Sequence, residues 1–403
     1  MKKNLLTISA LALVTLGFQN CNTDNQLPSA AYEPKLELPA QEYDYKAGVQ
    51  AFIKDAHTLN PKLVSSNLNS GFILNGIPQF LPSGLSFNTA DIKNEVATLG
   101  RVLFYDKKLS INNTIACGSC HLQSKAFSDI GDVSVGFKSV KTTRNSMSIA
   151  NPMLTNNLFW DSRSKSLQDM VLRPVQNHIE MGMDNLQVLT SKLQSTSYYP
   201  SLFKKAFGTE GVTEDKINLA LMQFLASMVT HNSKFDEGSK TKFNNFNSLE
   251  TMGKDLFMSE RLSCTKCHTG ANFSLGDEVS FDNPYGGSGD SGPNGTANVG
   301  LDMVYKDNGR GNGKFKIPSL RNIELTAPYM HDGRFKTLEQ VVEHYNSGIQ
   351  AHPHLDANLK DANGLPRRLN LTPIEKTALI AFLKTLTDTK YIADVKYSDP
   401  FKY

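Results

Sequence analysis

Cys117-Gly118-Ser119-Cys120-His121 decides how this chain is read, and it recurs once as Cys264-Thr265-Lys266-Cys267-His268. A Cys-x-x-Cys-His pentapeptide is the signature of covalent c-type haem attachment. Two thiols add across the haem vinyl groups, and the adjacent His ligates the iron from the proximal side. The spacing sets both thioethers on one turn, so the imidazole points back at the metal. One such pentapeptide is also compatible with a zinc half-site or a redox dithiol. Two of them take up all but one of the chain's 5 cysteines, which points to two haems.

The flanks repeat as well. The apolar spacing of Ile92, Val96, Leu99 and Leu103 predicts a helix over 92–105. It contains Gly100-Arg101-Val102-Leu103-Phe104, and Leu109-Ser110 follows before the first motif. Gly253-Lys254-Asp255-Leu256-Phe257 and Leu262-Ser263 precede the second motif in the same way. Phe127-Ser128 and Phe273-Ser274 follow the two motifs. Arg144-Asn145 is matched with Arg321-Asn322, and Trp160-Asp161-Ser162-Arg163 with His331-Asp332-Gly333-Arg334. Ser166-Leu167 and Thr337-Leu338 each open a short helix. Each half then closes on a longer one. The first follows Thr213, with Ile217, Leu221, Leu225 and Met228 on one face. The second follows Thr372-Pro373, where Glu375 completes a capping box.

The predicted fold is mainly α: two tandem cytochrome c-like haem domains with long irregular loops, 43–235 and 236–403. An Asn-, Ser-, Lys- and Gly-rich linker near 232–248 joins them. The haem histidines are 147 residues apart (268 − 121), while the later arginines are 171 apart (334 − 163). The second half therefore carries an insertion, assigned to the Gly/Asn/Asp-rich stretch 276–313 as a surface loop or lid. Calcium is not assigned there, because the stretch lacks EF-hand spacing.

Lys2 and Lys3 before the apolar run Leu5–Phe18 read as an export signal over 1–21. The run is too short to span a bilayer. Cys21 is then either a lipid-anchored N-terminus, despite the poor lipobox Phe18-Gln19-Asn20, or a bystander of plain secretory cleavage. Residues 22–42 read as a tether, and the periplasm, with or without an outer-membrane anchor, as the compartment. Residues 43–90 hold a helix around Val49–His57 and no evident chemistry, with His57 at the surface. A net charge of +3 over 403 residues, with both signs mixed throughout, argues against nucleic acid as partner.

With these residues quoted, the chain resembles the bacterial di-haem cytochrome c peroxidase/MauG family over about 92–386. The likeness rests on Leu-Phe-x-Asp-x-x-Leu-Ser from Leu103 to Ser110, Arg144-Asn145, Trp160-Asp161-x-Arg163, Glu180-Met181-Gly182, and the run from Leu325 to Gly333. The resemblance implies a peroxidatic N-terminal haem with hydrogen peroxide as substrate. It implies a C-terminal haem that takes electrons from a small redox protein such as a cytochrome c. It implies Trp160 as electron relay between the haems, and Glu180 as the distal acid that moves a proton between the peroxide oxygens. His178 is the rival for that proton transfer. A calcium ion between the domains is implied too, on the Asn145 side chain and the carbonyls of Thr326 and Pro328.

Two positions depart from common members of the family. Many have a distal His seven residues before the Arg of Arg-Asn; here that residue is Phe137, so the first iron is expected to be open at rest. Others have a Met fourteen residues after the position of His331; here it is Tyr345, as in MauG-type members, with Met330 as the alternative ligand. A phenolate favours higher oxidation states of iron. It suits an alternative activity, oxidation of a partner protein's residues through a bis-ferryl state. A non-catalytic di-haem electron carrier is the third reading. A homodimer is compatible with all three.

Overall fold

The computed structural model describes residues 34–59, 73–74, 77–78 and 92–402, apart from 156, 269, 271 and 275–294. The export segment, Cys21 and the early tether lie outside the described residues, as does the side chain of His57. The helices in chain order are α1 (Tyr45–Leu59), α2 (Asn94–Tyr105), α3 (Cys117–Cys120), α4 (Leu167–Met170), α5 (Arg173–Gln176), α6 (Leu186–Gln194) and α7 (Tyr199–Phe207). They continue with α8 (Glu214–Ala226), α9 (Lys234–Lys240), α10 (Ser248–Met258), α11 (Leu338–Glu343), α12 (Pro373–Lys384) and α13 (Thr389–Ala393). The strands are antiparallel two-residue pairs: β1 (Lys35–Leu36) with β6 (Phe401–Lys402), β2 (Ile73–Leu74) with β3 (Ile77–Pro78), and β4 (Thr296–Ala297) with β5 (Phe315–Lys316). Among the described residues no helix is long and apolar enough to cross a membrane.

Each half is built on one crossed helix pair, α2 on α8 and α10 on α12. The crossings depend on a bare Cα. A Cβ on Gly100 would lie 2.0 Å from the Ala220 carbonyl oxygen, and one on Gly253 1.9 Å from that of Ala378. Only glycine allows two backbones so close. The long closing helices start as their sequences dictate. Thr213 accepts from the Lys216 N–H; Thr372 accepts from the Glu375 N–H, and the Glu375 carboxylate takes the Thr372 N–H in return. Leu99, Leu103, Phe104, Ile217, Leu221 and Phe224 lie in the first apolar core; Phe257, Leu379, Phe382 and Leu383 lie in the second.

The repeat is shifted at one point from the sequence reading. Asn322 is matched by Asn151, not by Asn145. Asn151 and Asn322 have φ of 48° and 60°, and each opens a 3-10 turn, Pro152–Leu154 or Ile323–Leu325. Each donates its N–H to the carbonyl two residues past its long helix, Met228 or Leu386. Their separation is 171 (322 − 151), that of the later arginines. Arg321 instead makes a buried two-point ion pair with Asp236, at 2.9 Å in both bonds. That pair anchors the stretch expected as a linker, where α9 forms behind a Ser233/Asp236 capping box.

The chain ends return to the first half. Tyr391, Tyr397 and Phe401 belong to its core, and β6 pairs with β1. The expected unit 236–403 therefore ends in a tail packed on the first half, and the expected tether is docked from Lys35 onward. The described part of the expected lid is a wall: Ala297, Val299 and Leu301 line an interior cavity.

Candidate active site

The first motif forms α3. His121 stands at its C-terminal end with its Nδ1 2.8 Å from the Phe127 carbonyl, and the Phe104 ring lies beside the imidazole. The second motif is a 3-10 turn, Cys264–Lys266, and His268 Nδ1 lies 3.0 Å from the Phe273 carbonyl. In both, Nδ1–H donates to a carbonyl, which leaves the Nε2 lone pair for iron. Burial keeps both rings neutral, pushing His121 below its ordinary value and His268 down to about 4. Burial also raises the thiols, Cys117, Cys264 and Cys267 to about 12 and Cys120 to about 11. Zinc needs four ligands, and among the described residues no three His, Cys, Asp or Glu side chains gather as a metal site.

A cavity opens above the second motif, walled by His268, Leu320, Phe257, Tyr329 and Leu383. Its walls are largely apolar, as a porphyrin requires. Lys316 is one of the few charged residues on them, with Asp356 and Arg367. It is buried, and among the described residues its Nζ makes one long contact, 3.4 Å to the Ile317 carbonyl. Burial lowers it to about 8. A buried ammonium facing a porphyrin-shaped space fits a haem propionate, so the residues present suit the group. Lys316 escaped the sequence reading, although a lysine between Phe315 and Ile317 was the available signal.

Tyr345 and Met330 both line this cavity. Tyr345 sits on a π-helical turn, His344–Gly348, and burial pushes its phenol well above the ordinary range, with the charges of Cys267 and Cys264 adding to it. Asn145, Thr326 and Pro328 share the same cavity wall. The Asn145 amide nitrogen donates to the Gly131 and Asp132 carbonyls at 3.3 and 3.1 Å, so Oδ1 is the side-chain atom a cation would meet.

Glu180 belongs to the first motif. Burial raises its carboxyl above the usual range, the Arg163 charge opposes this, and the Glu180 charge in turn acts on Cys117 and Cys120. Its loop is tightly held. Asn177 Oδ1 accepts the N–H groups of Ile179 and Glu180 at 2.8 and 3.2 Å. Phe137 N–H donates to the Glu180 carbonyl at 3.0 Å. Gly182, at φ +69°, has the Phe137 ring where a Cβ would go. Phe137 is thus part of the Glu180 loop's support, while His178 is exposed.

Between the sites runs one hairpin, closed by the Leu158–Ser164 bridge. Trp160 faces the second cavity, and its Nε1–H donates to the Asn145 carbonyl at 2.9 Å. Three residues on, Arg163 acts on Glu180 at the first site. The neighbouring segment has the same double role: Ser146 donates to the Cys120 carbonyl at 2.9 Å and lines the second cavity. Arg144 fixes the hairpin to the second half through Asp161 at 2.6 Å and a two-point contact with Asp307 at 2.6 and 2.8 Å.

Two Cys-x-x-Cys-His turns in one mostly helical chain, each with its histidine Nδ1 held by a carbonyl and with a tryptophan hairpin between them, fit a di-haem protein class. The comparisons with known proteins agree. Residues 94–243 match the family model described as di-haem cytochrome c peroxidase. Cytochrome c551 peroxidase of Nitrosomonas europaea is 34% identical over 296 residues, 73% of this chain and 80% of its own. Methylamine utilization protein MauG of Methylophilus methylotrophus is 29% identical over 320 residues, 77% and 86% of the two chains. A crystal structure of a MauG-like protein associated with microbial copper homeostasis superposes with a TM-score of 0.66 at 32% identity, covering 81% of this chain and 99% of that one. The di-haem peroxidase variant from Burkholderia thailandensis, at 19% identity and TM-score 0.61 over 77% and 91% of the chains, shares the fold. The chain belongs to the di-haem cytochrome c peroxidase/MauG family.

Proposed function

We propose that this chain is a periplasmic peroxidase that reduces hydrogen peroxide to water with electrons from a c-type cytochrome. The observation that carries the reading is the 158–164 hairpin, which puts Trp160 on the second cavity and carries Arg163, whose charge acts on Glu180 of the first. Two haems, attached at Cys117/Cys120 and Cys264/Cys267 with His121 and His268 as proximal ligands, would supply the peroxide-binding iron and the electrons. The protein's part is placement of protons and charge. Glu180 takes a proton from one peroxide oxygen and delivers it to the other, and its raised carboxyl suits both acts. The Arg163 charge opposes that rise. Phe137 leaves no protein ligand at the place where other members carry a distal His. Trp160 gives an aromatic step between the two sites, and Lys316 holds a propionate at the second. Calcium on Asn145, Thr326 and Pro328 would brace the wall they share.

Tyr345 favours a second reading, a MauG-like oxidation of a partner protein's residues. A phenolate at the second iron would disfavour electron uptake from an ordinary cytochrome. Stopped-flow mixing with hydrogen peroxide and reduced cytochrome c separates the two. Rapid cytochrome oxidation supports the peroxidase. A long-lived oxidised spectrum with little turnover supports the second reading. Two irons indifferent to both peroxide and cyanide would defeat both and leave an electron carrier.

A further inference from the structure

The first half's core holds one carboxylate shared by two phenols. Asp106 follows directly on α2 and is 5% exposed. Its Oδ1 accepts the Lys108 N–H at 2.8 Å. Its Oδ2 accepts the hydroxyls of Tyr198 at 2.5 Å and Tyr199 at 2.9 Å. The two rings lie 4.7 Å apart, centre to centre. Tyr199 is fully buried, whereas Tyr198 reaches the surface in part.

The cluster starts at the first haem-attachment turn. The Cys117 side chain packs against the same apolar core that contains Tyr199. The next residue, Gly118, packs on the ring of Tyr105, which adjoins Asp106 in the chain. A path from the attachment turn through Tyr199 to Tyr198 therefore ends at solvent.

The acceptors separate these two tyrosines from the others in this core. A phenol gives up an electron readily only when its proton has somewhere to go. Tyr45, Tyr105, Tyr391 and Tyr397 donate to the backbone carbonyls of Lys396, Tyr397, Ile149 and Ser227. A carbonyl does not take a proton at ordinary pH. Tyr198 and Tyr199 donate to a carboxylate, which does, and both lie within direct proton-transfer distance.

We propose that Tyr199, Tyr198 and Asp106 form a proton-coupled electron relay that carries oxidising equivalents from the first haem site to the surface, where a small phenol is oxidised. The relay rests on the peroxidase reading above. Hydrogen peroxide takes two electrons and two protons to give two waters. In each of two turns, Tyr199 gives one electron to the oxidised first site and its hydroxyl proton to Asp106, leaving a neutral phenoxyl radical. Tyr198 then reduces Tyr199; Asp106 returns the proton to Tyr199 and accepts that of Tyr198. The external phenol reduces Tyr198, which recovers its proton from Asp106, and the donor's own proton goes to solvent. Two phenols and one peroxide give two phenoxyl radicals and two waters, the two released protons being those consumed at the first site.

The test uses the full-length holoprotein mixed with hydrogen peroxide without reductant and rapidly frozen. Electron paramagnetic resonance reads tyrosyl radical, and a nitroso spin trap followed by peptide sequencing places it. A tyrosyl signal with the adduct on Tyr198 is expected. Tyr198→Phe should lose the adduct and the oxidation of guaiacol. Tyr199→Phe and Asp106→Asn should lose most of the signal. In all three, the optical response of the first haem to peroxide and the oxidation of reduced cytochrome c should stay unchanged. Tyr198→Phe, at a part-exposed position, keeps the test valid where Asp106→Asn disturbs folding, and haem content is measured for each variant. An optical response with no tyrosyl radical, or with a radical indifferent to Tyr198→Phe and Tyr199→Phe, overturns the relay and leaves the peroxidase reading standing. No optical response to peroxide overturns both.

Discussion

The two halves share a scaffold and differ in the side chains set around their Cys-x-x-Cys-His turns. Gly100 and Gly253 set the same helix crossing. His121 and His268 are turned by the same carbonyl contact, from Phe127 and Phe273. Asn151 and Asn322 tie down the same helix ends. Beyond these the halves part. The first presents a half-buried carboxyl, Glu180, and the second a half-buried phenol, Tyr345, with a buried ammonium, Lys316. Trp160 and His331 hold equivalent places, yet one donates to Asn145 within its own half while lining the second half's cavity, and the other stacks on Phe315, ring centres 3.7 Å apart. The lesson is a division of labour: duplication supplies the cradle, and a handful of side chains on the irregular segments assign each cradle its chemistry.

Glu180→Gln and Tyr345→Phe are the strongest means of breaking that comparison. Glu180→Gln should slow the peroxide reaction by about 100-fold or more while the second haem's spectrum stays as it was. Tyr345→Phe should do the reverse, changing the second haem's spectrum and sparing the peroxide rate. If both variants moved both readouts, the halves would not be specialised. The pH dependence sharpens the point. Burial raises the Glu180 carboxyl, so the peroxide rate should climb with pH through that raised value and be flat in Glu180→Gln. Stability runs the opposite way. The folded protein holds this proton longer than the unfolded chain, so the group favours folding at low pH and loses that contribution as pH rises through the folded value. Denaturant melts should therefore show Glu180→Gln gaining on the parent as pH increases.

Gly100→Ala and Gly253→Ala measure the shared part. Each forces a methyl into the facing helix backbone and should cost about 2–3 kcal/mol, nearly equal in the two halves by chemical denaturation. A large inequality would mean that one crossing is looser than the other. Trp160→Phe probes the connection. It removes one hydrogen bond, worth about 1 kcal/mol, and should slow electron exchange between the haems, followed by stopped-flow, with peroxide binding at the first unchanged. Smallest is Lys336→Ala, which breaks an exposed ion pair with Asp132 across the halves. A change of about 0.5 kcal/mol or less is expected, since solvent screens both partners.

The local signals in the sequence carried a good deal. The helices 94–105, 214–226 and 373–384 formed where apolar spacing and caps put them, and both pentapeptides form tight turns, 117–120 and 264–266. The misreadings came from long-range packing. Arg144-Asn145 and Arg321-Asn322 look alike as dipeptides, but Arg144 grips acids of the hairpin and its neighbour, whereas Arg321 is buried on Asp236. Position relative to a helix end, which makes Asn151 and Asn322 equivalent, is not written in a dipeptide. The polar stretch 232–248 read as a linker because its composition hides one buried aspartate. Lys316 was passed over because a lone lysine ordinarily snorkels to solvent, and only the cavity shows that it stays inside.

The tail that docks on the first half also orders events in time. Tyr45, Arg101 and Tyr105 find their hydrogen-bond acceptors at Lys396, Ser398 and Tyr397, some three hundred residues downstream. Contacts of such span form late. A nascent chain that has already emerged through its first pentapeptide must wait, its peroxide-facing half unsealed, until the last dozen residues arrive. The final residues thus act as a clasp on maturation, and a polypeptide cut short there would leave a half-closed compartment however complete its metal-facing side chains.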